Sequence, residues 1–333
     1  MSRVLVVGAT GQLGTRCVEA ALSAGHSVRA IVRPGSQHDH LLRAGVECVP
    51  GDLRDPGSLL SACDAIESVI ATATVVFPRG QYSFSQDEGV GYQSLIEACE
   101  RQRVSRFLFA SIAVPYADKY LSLVPTLQMK AHCEELLANS HLDYTVFRCT
   151  PFMDDYFALM GSALPLEGEV CATLNRASGA TKVLRSLFGS SIERWGIATV
   201  PGPASNRHAF VAVDDVARTM VSALKQSIPS RATLQVTGPE SASWREVADI
   251  YSELLGRPVL VLPLPAWLLH TLSRLIGPIS EAVANQLGLL WVLAEQETRA
   301  SRLHESFPAL AHTKARDYLL QKVTARQRRS SLD

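Results

Sequence analysis

Three glycines in a seven-residue stretch, Gly8-Ala-Thr-Gly11-Gln-Leu-Gly14, follow the apolar run Val4-Leu-Val-Val7 and open an amphipathic stretch. Glycine weakens both helices and strands, so such a cluster calls for a use. At a strand-to-helix turn each one has its own. Gly8 lets the chain turn tightly, Gly11 lets backbone N–H groups approach a pyrophosphate, and Gly14 lets the helix pack close to the sheet. The helix N-terminus then faces the phosphates with partial positive charge. Thr10, Gln12 and Leu13 share this turn. The chemistry expected is the holding of a dinucleotide. A glycine-rich turn without a ligand is the plainer alternative. Arg33 bears on which dinucleotide: the second strand ends Ile31-Val32-Arg33-Pro34, with no acid for a ribose 2′-OH and Asp39 several residues later. A planar guanidinium matches the 2′-phosphate of NADP. NADP is therefore the preferred cofactor and NAD a possible one, unless Arg33 is simply a solvated arginine.

The elements that would position these residues alternate. Strands are expected at 4–7, 27–32, 46–49, 68–72, 106–111 and 144–147. Helical stretches lie between them, at 12–24, ending at Gly45, and at 57–63, 87–102 and 126–139. This rhythm means βαβ units, right-handed crossovers and a parallel sheet. The fold class expected is α/β, a Rossmann-type doubly wound parallel sheet with a smaller, mostly helical C-terminal substrate lobe. The nucleotide-binding domain is placed at 1–155 and the substrate-binding lobe at 156–333, with 210–262 partly packing back on the first domain. Residues 161–208 are rich in Gly, Ser and Pro, with weak periodicity. A strand at 210–213 and a helix over 215–226 capped by Asp214 follow. Beyond them come a strand at 233–237, a helix at 243–255 and a strand at 258–262. Apolar helices at 266–276 and 279–297 close the pattern. Asp214 and Asp215 look like a carboxylate pair, but adjacent helix residues diverge, and capping is the better reading.

Composition bounds the function. Lys plus Arg and Asp plus Glu both number 32, so the basic excess of a nucleic-acid binder is absent. The basic run Arg326, Arg328 and Arg329 reads as a solvated, frayed terminus. Seven scattered cysteines without a C-x-x-C pair argue against a disulfide framework and a zinc site, and no metal is expected. The N-terminal apolar run is too short for a signal peptide, and no run approaches the ~20 apolar residues that span a bilayer. A cytoplasmic protein, monomer or homodimer, is expected.

The spacing G-x-x-G-x-x-G, rather than G-x-G-x-x-G, resembles the short-chain dehydrogenase/reductase superfamily. In detail the chain resembles its atypical NmrA-like and isoflavone-reductase-like branch, over about residues 3–155 and more loosely 208–262. Further carriers of the resemblance are Val28-Arg-Ala-Ile-Val-Arg33, Gly51-Asp52-Leu53, Leu95-Ile96-Glu-Ala98, Arg106-Phe-Leu-Phe-Ala-Ser111, Lys130, and Leu142-Asp-Tyr-Thr-Val-Phe-Arg148 followed by Phe152. The resemblance implies that Asp52 and Leu53 line an adenine pocket, the alternative being a helix-capping Asp and a core Leu. It implies backbone contacts to the cofactor at Ala73 and Thr74. It implies a catalytic Lys130 that hydrogen-bonds the nicotinamide ribose, and a Ser111 that polarises a substrate carbonyl. Thr150 and Phe152 would lie beside the nicotinamide or substrate. Where typical members carry Tyr-x-x-x-Lys, this chain has Thr126-Leu-Gln-Met-Lys130, and a threonine hydroxyl is a poor proton donor. Isoflavone-reductase-like relatives also lack the Tyr. Candidate donors are Lys130, Tyr116, Tyr120 or a water held by Ser111. His132, two residues from Lys130 on a helix, faces away from it.

Trp267, Leu268, Leu272 and Leu275 are expected to form one apolar face. Residues 286–294 are apolar nearly all round, which suits core, a lid over a greasy pocket, or a lip on a membrane. Trp267, Tyr116 and Phe152 are the candidate substrate contacts. The function expected is NADPH-dependent hydride transfer to a carbonyl or conjugated double bond of a hydrophobic cyclic compound. Quinones, isoprenoid-bearing rings and polycyclic ketones fit that description. The alternative is a non-catalytic NAD(P)-binding sensor or assembly factor. An epimerase or dehydratase fits less well, because Tyr is missing and Arg33 is present. No nucleic-acid partner and no transmembrane segment are expected; peripheral membrane contact is possible.

Overall fold

Leu5 and Val7 point to one side of the first strand and Val4 and Val6 to the other, and all four are buried. A strand apolar on both faces belongs inside a sheet covered on both sides. The computed structural model, which describes residues 2–74, 89–176, 182, 186, 189–225, 228–301 and 312–330, shows this sheet. Its strands are β1 (Arg3–Val7), β2 (Ser27–Val32), β3 (Glu47–Pro50), β4 (Ser68–Ala71), β5 (Arg106–Ile112), β6 (Tyr144–Cys149) and a later strand, Ala232–Val236. The order of this 7-stranded sheet is β3-β2-β1-β4-β5-β6 and then Ala232–Val236, with every pair parallel. The order reverses between β1 and β4, which is where doubly wound sheets open a crevice at their carboxyl edge.

The helices of this part are α1 (Gln12–Ser23), α2 (Asp39–Arg43), α3 (Pro56–Ala62), α4 (Val90–Arg101) and, after α5 (Asp118–Leu121), α6 (Pro125–Asn139). One sheet face, carrying Leu5, Val7, Val69, Phe107, Phe109 and Val146, forms a core with Leu59 of α3, Tyr92, Leu95 and Cys99 of α4, and Cys133 and Leu137 of α6. Cys17, Val18 and Ala21 of α1 are buried, and α1 packs against helix Val213–Ser222. The seven cysteines are free thiols.

The chain divides into two compact units, each discontinuous in sequence. The first is Met1–Ile112, Pro125–Cys149 and Val213–Val236; the second is Ala113–Val124, Thr150–Ala212 and Thr237–Asp333. The second unit has its own aromatic core, in which Phe210 meets Phe157 and Trp244 edge-on at 5.1 and 4.9 Å, and Tyr251 and Leu319 are fully buried. It contains α7 (Met153–Leu159) and a parallel pair of strands, Ile197–Pro201 and Leu260–Leu264. Helix Trp244–Leu255 starts on a capping box between Ser243 and Glu246 and stops at Gly256 with φ +65°. Helices Ala266–Ile276 and Glu281–Glu295 pack on each other.

Several expectations for the second half are corrected. Residues 161–208, whose periodicity is weak, hold the strand Ile197–Pro201, which forms by pairing with Leu260–Leu264, 63 residues farther along, rather than by local pattern. The stretch 210–213 is no strand: the ladder is Arg207–His208 with Ala242–Ser243, and Val211 makes only an isolated bridge to Phe152. Asp214 does not cap a helix, because the helix already begins at Val213 and ends at Ser222. Asp214 pairs with Arg16 Nε at 3.1 Å and Asp215 with Arg218, so the two carboxylates do diverge. The basic terminus is not frayed coil but helix Ala315–Ser330, in which Lys322 pairs with Glu169 at 2.7 Å and Arg326 with Glu167 at 3.3 Å. On helix Ala266–Ile276 the expected apolar face is only partly covered: Leu268 and Leu272 are half-buried and Trp267 and Leu275 exposed, while Leu269 and Ser273 are the buried residues. Residues 87, 88 and 226 of the expected helices lie outside the described residues.

Candidate functional site

The first unit gathers the glycine turn and the ends of β1, β2, β4 and β5 on one edge, because parallel strands end together. Gly8 has φ +93°, and a Cβ there would stand 2.6 Å from the Ala73 backbone nitrogen. A Cβ on Gly14 would stand 2.1 Å from the Gly8 carbonyl oxygen. Both glycines are therefore required by the fold itself: one by backbone handedness and by β4, the other by the close seat of α1. Gly11 differs. A Cβ there would meet only the Gly8 carbonyl oxygen, at 3.1 Å, and would otherwise fill open space at the helix start. Gly11 is also the N-cap of α1 and supplies no side-chain acceptor to its first turn. A helix N-terminus that carries no capping side chain, with a glycine where a side chain would stand over it, fits a bound phosphate. Thr10 is half-buried, and Gln12 and Leu13 are buried at the same turn.

Arg33 stands exposed, one residue beyond β2. Asp52 follows β3 and takes a two-pronged hydrogen bond from Arg54, at 2.9 and 2.6 Å. The Arg54 guanidinium holds the Asp52 carboxyl below its usual range, and Arg33 adds to this from farther away. The capping residue of α3 is Asp55, whose Oδ1 accepts from Gly57 N at 3.1 Å, so Asp52 is not a cap. Leu53 is half-buried, and Gly91 of α4 comes so close that a Cβ on it would stand 2.7 Å from the Leu53 Cβ.

Beyond β4, the Ala73 carbonyl accepts from the Tyr92 hydroxyl at 2.8 Å, and Thr74 Oγ1 accepts from Lys130 Nζ at 2.6 Å. Tyr92 had no sequence signal apart from its place on a helix. Its ring meets Phe109 edge-on at 5.2 Å. Lys130 is only 3% exposed, and its Nζ lies 4.7 Å from the Phe109 ring centroid. Such burial sets it apart from an ordinary helix lysine. Thr126, one turn earlier on α6, is buried too, while His132 is exposed.

Ser111 near the end of β5 donates to Glu134 Oε1 at 2.6 Å. Glu134 sits one turn after Lys130 on α6 and is held by Arg148 of β6, with Nη2 donating to Oε2 at 2.6 Å and Nε at 3.1 Å. A serine hydroxyl has a single proton, and here it points at an ion-paired carboxylate. Donation from Ser111 to a substrate carbonyl therefore requires the Glu134 bond to be exchanged. The Ser111–Glu134–Arg148 chain was not visible in the sequence: the helical spacing from Lys130 to Glu134 was its only local signal, and the β5–β6 register that sets Ser111 opposite Arg148 is seen only in the folded sheet.

The remaining candidates belong to the second unit. Thr150 is buried and donates to the Ala209 carbonyl. Phe152 is half-buried and precedes α7. Tyr116 is half-buried. Tyr120 is buried, stacks edge-on with Trp291 at 5.1 Å and donates to Glu295 at 3.0 Å, so it packs within its own unit. Trp267 is 67% exposed. Lys130, Ser111, Thr74, Asp52, Arg33 and the glycines are thus brought onto one unit, and Thr150, Phe152, Tyr116 and Trp267 onto the other.

The profile of the NmrA-like family matches residues 1–318. The photosystem II assembly factor Ycf39 of Cyanophora paradoxa is 38% identical over 151 residues, a stretch spanning 45% of this chain and 45% of that one, under half of the relative's length. A bifunctional pinoresinol-lariciresinol reductase of Linum perenne is 26% identical over 344 residues, covering 95% of this chain and 97% of its own. Among solved structures, the triphenylmethane reductase of Citrobacter sp., complexed with NADP(H), superposes with a TM-score of 0.69 at 18% identity. It covers 96% of this chain and 99% of that chain. At that identity the likeness speaks for the fold.

Proposed function

Because the chain belongs to the NmrA-like family, we propose that it is an NADP(H)-dependent reductase acting on a hydrophobic cyclic carbonyl compound or conjugated double bond. The observation that carries this reading is the burial of Lys130, with its ammonium on Thr74 Oγ1 at the carboxyl edge of the sheet, next to the sheet's reversal point. Taking an ammonium out of water is costly unless partners or a ligand use the charge. When bound, the nicotinamide supplies a hydride. The chain's own residues do the rest. The N-terminus of α1 and the Gly11 backbone hold the pyrophosphate. Arg33 meets a 2′-phosphate. Lys130 holds the nicotinamide ribose and places positive charge where an oxyanion would form.

A second reading, a dinucleotide-binding assembly factor without turnover, is favoured by two features. Thr126 stands where a phenol would donate a proton, and the Ser111 proton is committed to Glu134. One experiment separates the readings. The purified chain is mixed with NADPH or NADH, and nicotinamide absorbance is followed against quinones and cyclic ketones. Acceptor-dependent oxidation supports the reductase; tight binding of NADPH without oxidation by any acceptor rejects it in favour of the second reading.

A further inference from the structure

Large apolar side chains stand in solvent along one stretch of the second unit. Leu260 and Ile279 are 68% and 85% exposed, Trp267 is nearly as open as Leu260, and Leu262 and Leu275 are exposed as well. Strand Leu260–Leu264 pairs with Ile197–Pro201 so that Leu260 faces Ile197 and Leu262 faces Thr199. Ala198, Val200 and Val261 turn into the aromatic core, so Leu260 and Leu262 lie on the opposite face. Pro265 then leads into helix Ala266–Ile276, whose buried residues are Leu269 and Ser273. Trp267 and Thr271 lie about half a turn around the helix from Leu269, on its outer side. Trp195, also exposed, joins this region through the Gly196 carbonyl, which accepts from Leu260 N at 2.7 Å.

The charges of the stretch are one-sided. From Arg257 to Ser280 there is no acidic residue, and the cations are Arg257 and Arg274. Arg257 donates to the Arg194 carbonyl at 3.3 Å, so a third arginine's backbone is tied to the same place. The next acid in the chain, the exposed Glu281, directly follows this stretch. The Arg257 guanidinium also donates to the Ile192 carbonyl, so the exposed Arg274 is the cation that an anionic headgroup would meet. A tryptophan, leucines and an isoleucine beside arginines is the composition that sits at a membrane interface. Among the described residues no helix is long and apolar enough to cross a membrane.

We propose that this surface of the second unit, formed by Leu260, Leu262, Trp267, Arg274, Leu275 and Ile279, rests on the headgroup region of a bilayer that carries anionic lipids. The apolar side chains enter the boundary with the acyl chains, and Arg274 pairs with phosphate. The inference is independent of the reductase reading, since a lipid-resting chain can turn over a hydrophobic substrate or hold a membrane partner.

Flotation of the full chain with vesicles tests it. The chain is expected to float with phosphatidylcholine vesicles containing phosphatidylglycerol and not with phosphatidylcholine alone, and to be released as salt screens the headgroups. The double substitution Leu275→Ser/Ile279→Ser and, separately, Arg274→Glu are each expected to lower partitioning by about tenfold or more. These side chains are exposed, so the thermal midpoint stays at its wild-type value and loss of folding is distinguished from loss of binding. Failure to float at low salt overturns the proposal, as does flotation that survives the substitutions. So does a dimer, seen by sedimentation, that the same substitutions dissociate, which would make a second copy the occupant.

Discussion

Lys130 and Arg33 carry the residue-scale argument, one buried and one exposed. If Lys130 holds the nicotinamide ribose and steadies developing charge, truncating it removes an interaction made mostly in the transition state. Lys130→Ala is expected to lower kcat/KM for the acceptor by about 10²–10⁴-fold. Stability also falls, because the buried side chain leaves a void when it is truncated, so the comparison includes Lys130→Met, which keeps most of its volume. Turnover retained by Lys130→Met would remove Lys130 from the mechanism. Arg33 has the opposite character: as an exposed side chain it is replaceable without a folding penalty. Arg33→Asp places a carboxylate where a ribose 2′-OH would be bound and a 2′-phosphate repelled. Titration of nucleotide fluorescence should show the ratio of NADPH to NADH affinity falling by about tenfold or more. An unchanged ratio would mean that Arg33 is solvated surface and the phosphate is held elsewhere.

At the scale of elements, the turn between β1 and α1 separates what the fold needs from what a ligand needs. Gly14→Ala forces a methyl group to 2.1 Å from the Gly8 carbonyl, so α1 must lift from the sheet. A loss of about 1–3 kcal/mol or more in urea unfolding is expected. Gly11→Ala meets its neighbour at 3.1 Å and should leave stability within about 1 kcal/mol while weakening NADPH binding. Equal losses of stability in both variants would refute the division. This turn was legible in the sequence because every one of its signals is local: an apolar run, three glycines, then helical periodicity. The same holds for the six strands and their helices up to β6, whose spacing follows the βαβ rhythm. Legibility failed where the determinants are distant. Strand Ile197–Pro201 exists by pairing with Leu260–Leu264, helix Ala315–Ser330 by burying Ala315, Tyr318 and Leu319 against the core of Trp244 and Tyr251, and neither partner is near in the chain. The Ser111–Glu134–Arg148 chain joins two strands and a helix, and only the register of β5 and β6 brings it together.

At the scale of the whole molecule, stability against pH should report a histidine that the site does not use. His208 is fully buried in the second unit between the rings of Phe210 and Trp244, at 5.5 and 5.1 Å, and neither ring nitrogen has a hydrogen-bond partner among the described residues. Burial pushes its pKa down from 6.5 to about 4. Between those values the unfolded chain binds a proton that the folded chain does not, so folding weakens as pH falls through this window and is unaffected by His208 above it. Asp155, pushed up to about 7 by burial and by Asp154, acts in the other direction over much of the same range, so the total curve is not diagnostic. The difference from His208→Leu is. Leucine fills an apolar site of similar size and cannot titrate, so the variant escapes the protonation penalty. Relative to its standing at pH 7.5, it should gain about 2–3 kcal/mol on the wild type by pH 4.5, measured by urea unfolding at both values. A gap between the two proteins that stays constant from pH 7.5 to 4.5 would show that His208 finds a partner able to hold its proton, and that the core around Trp244 is more polar than its rings imply.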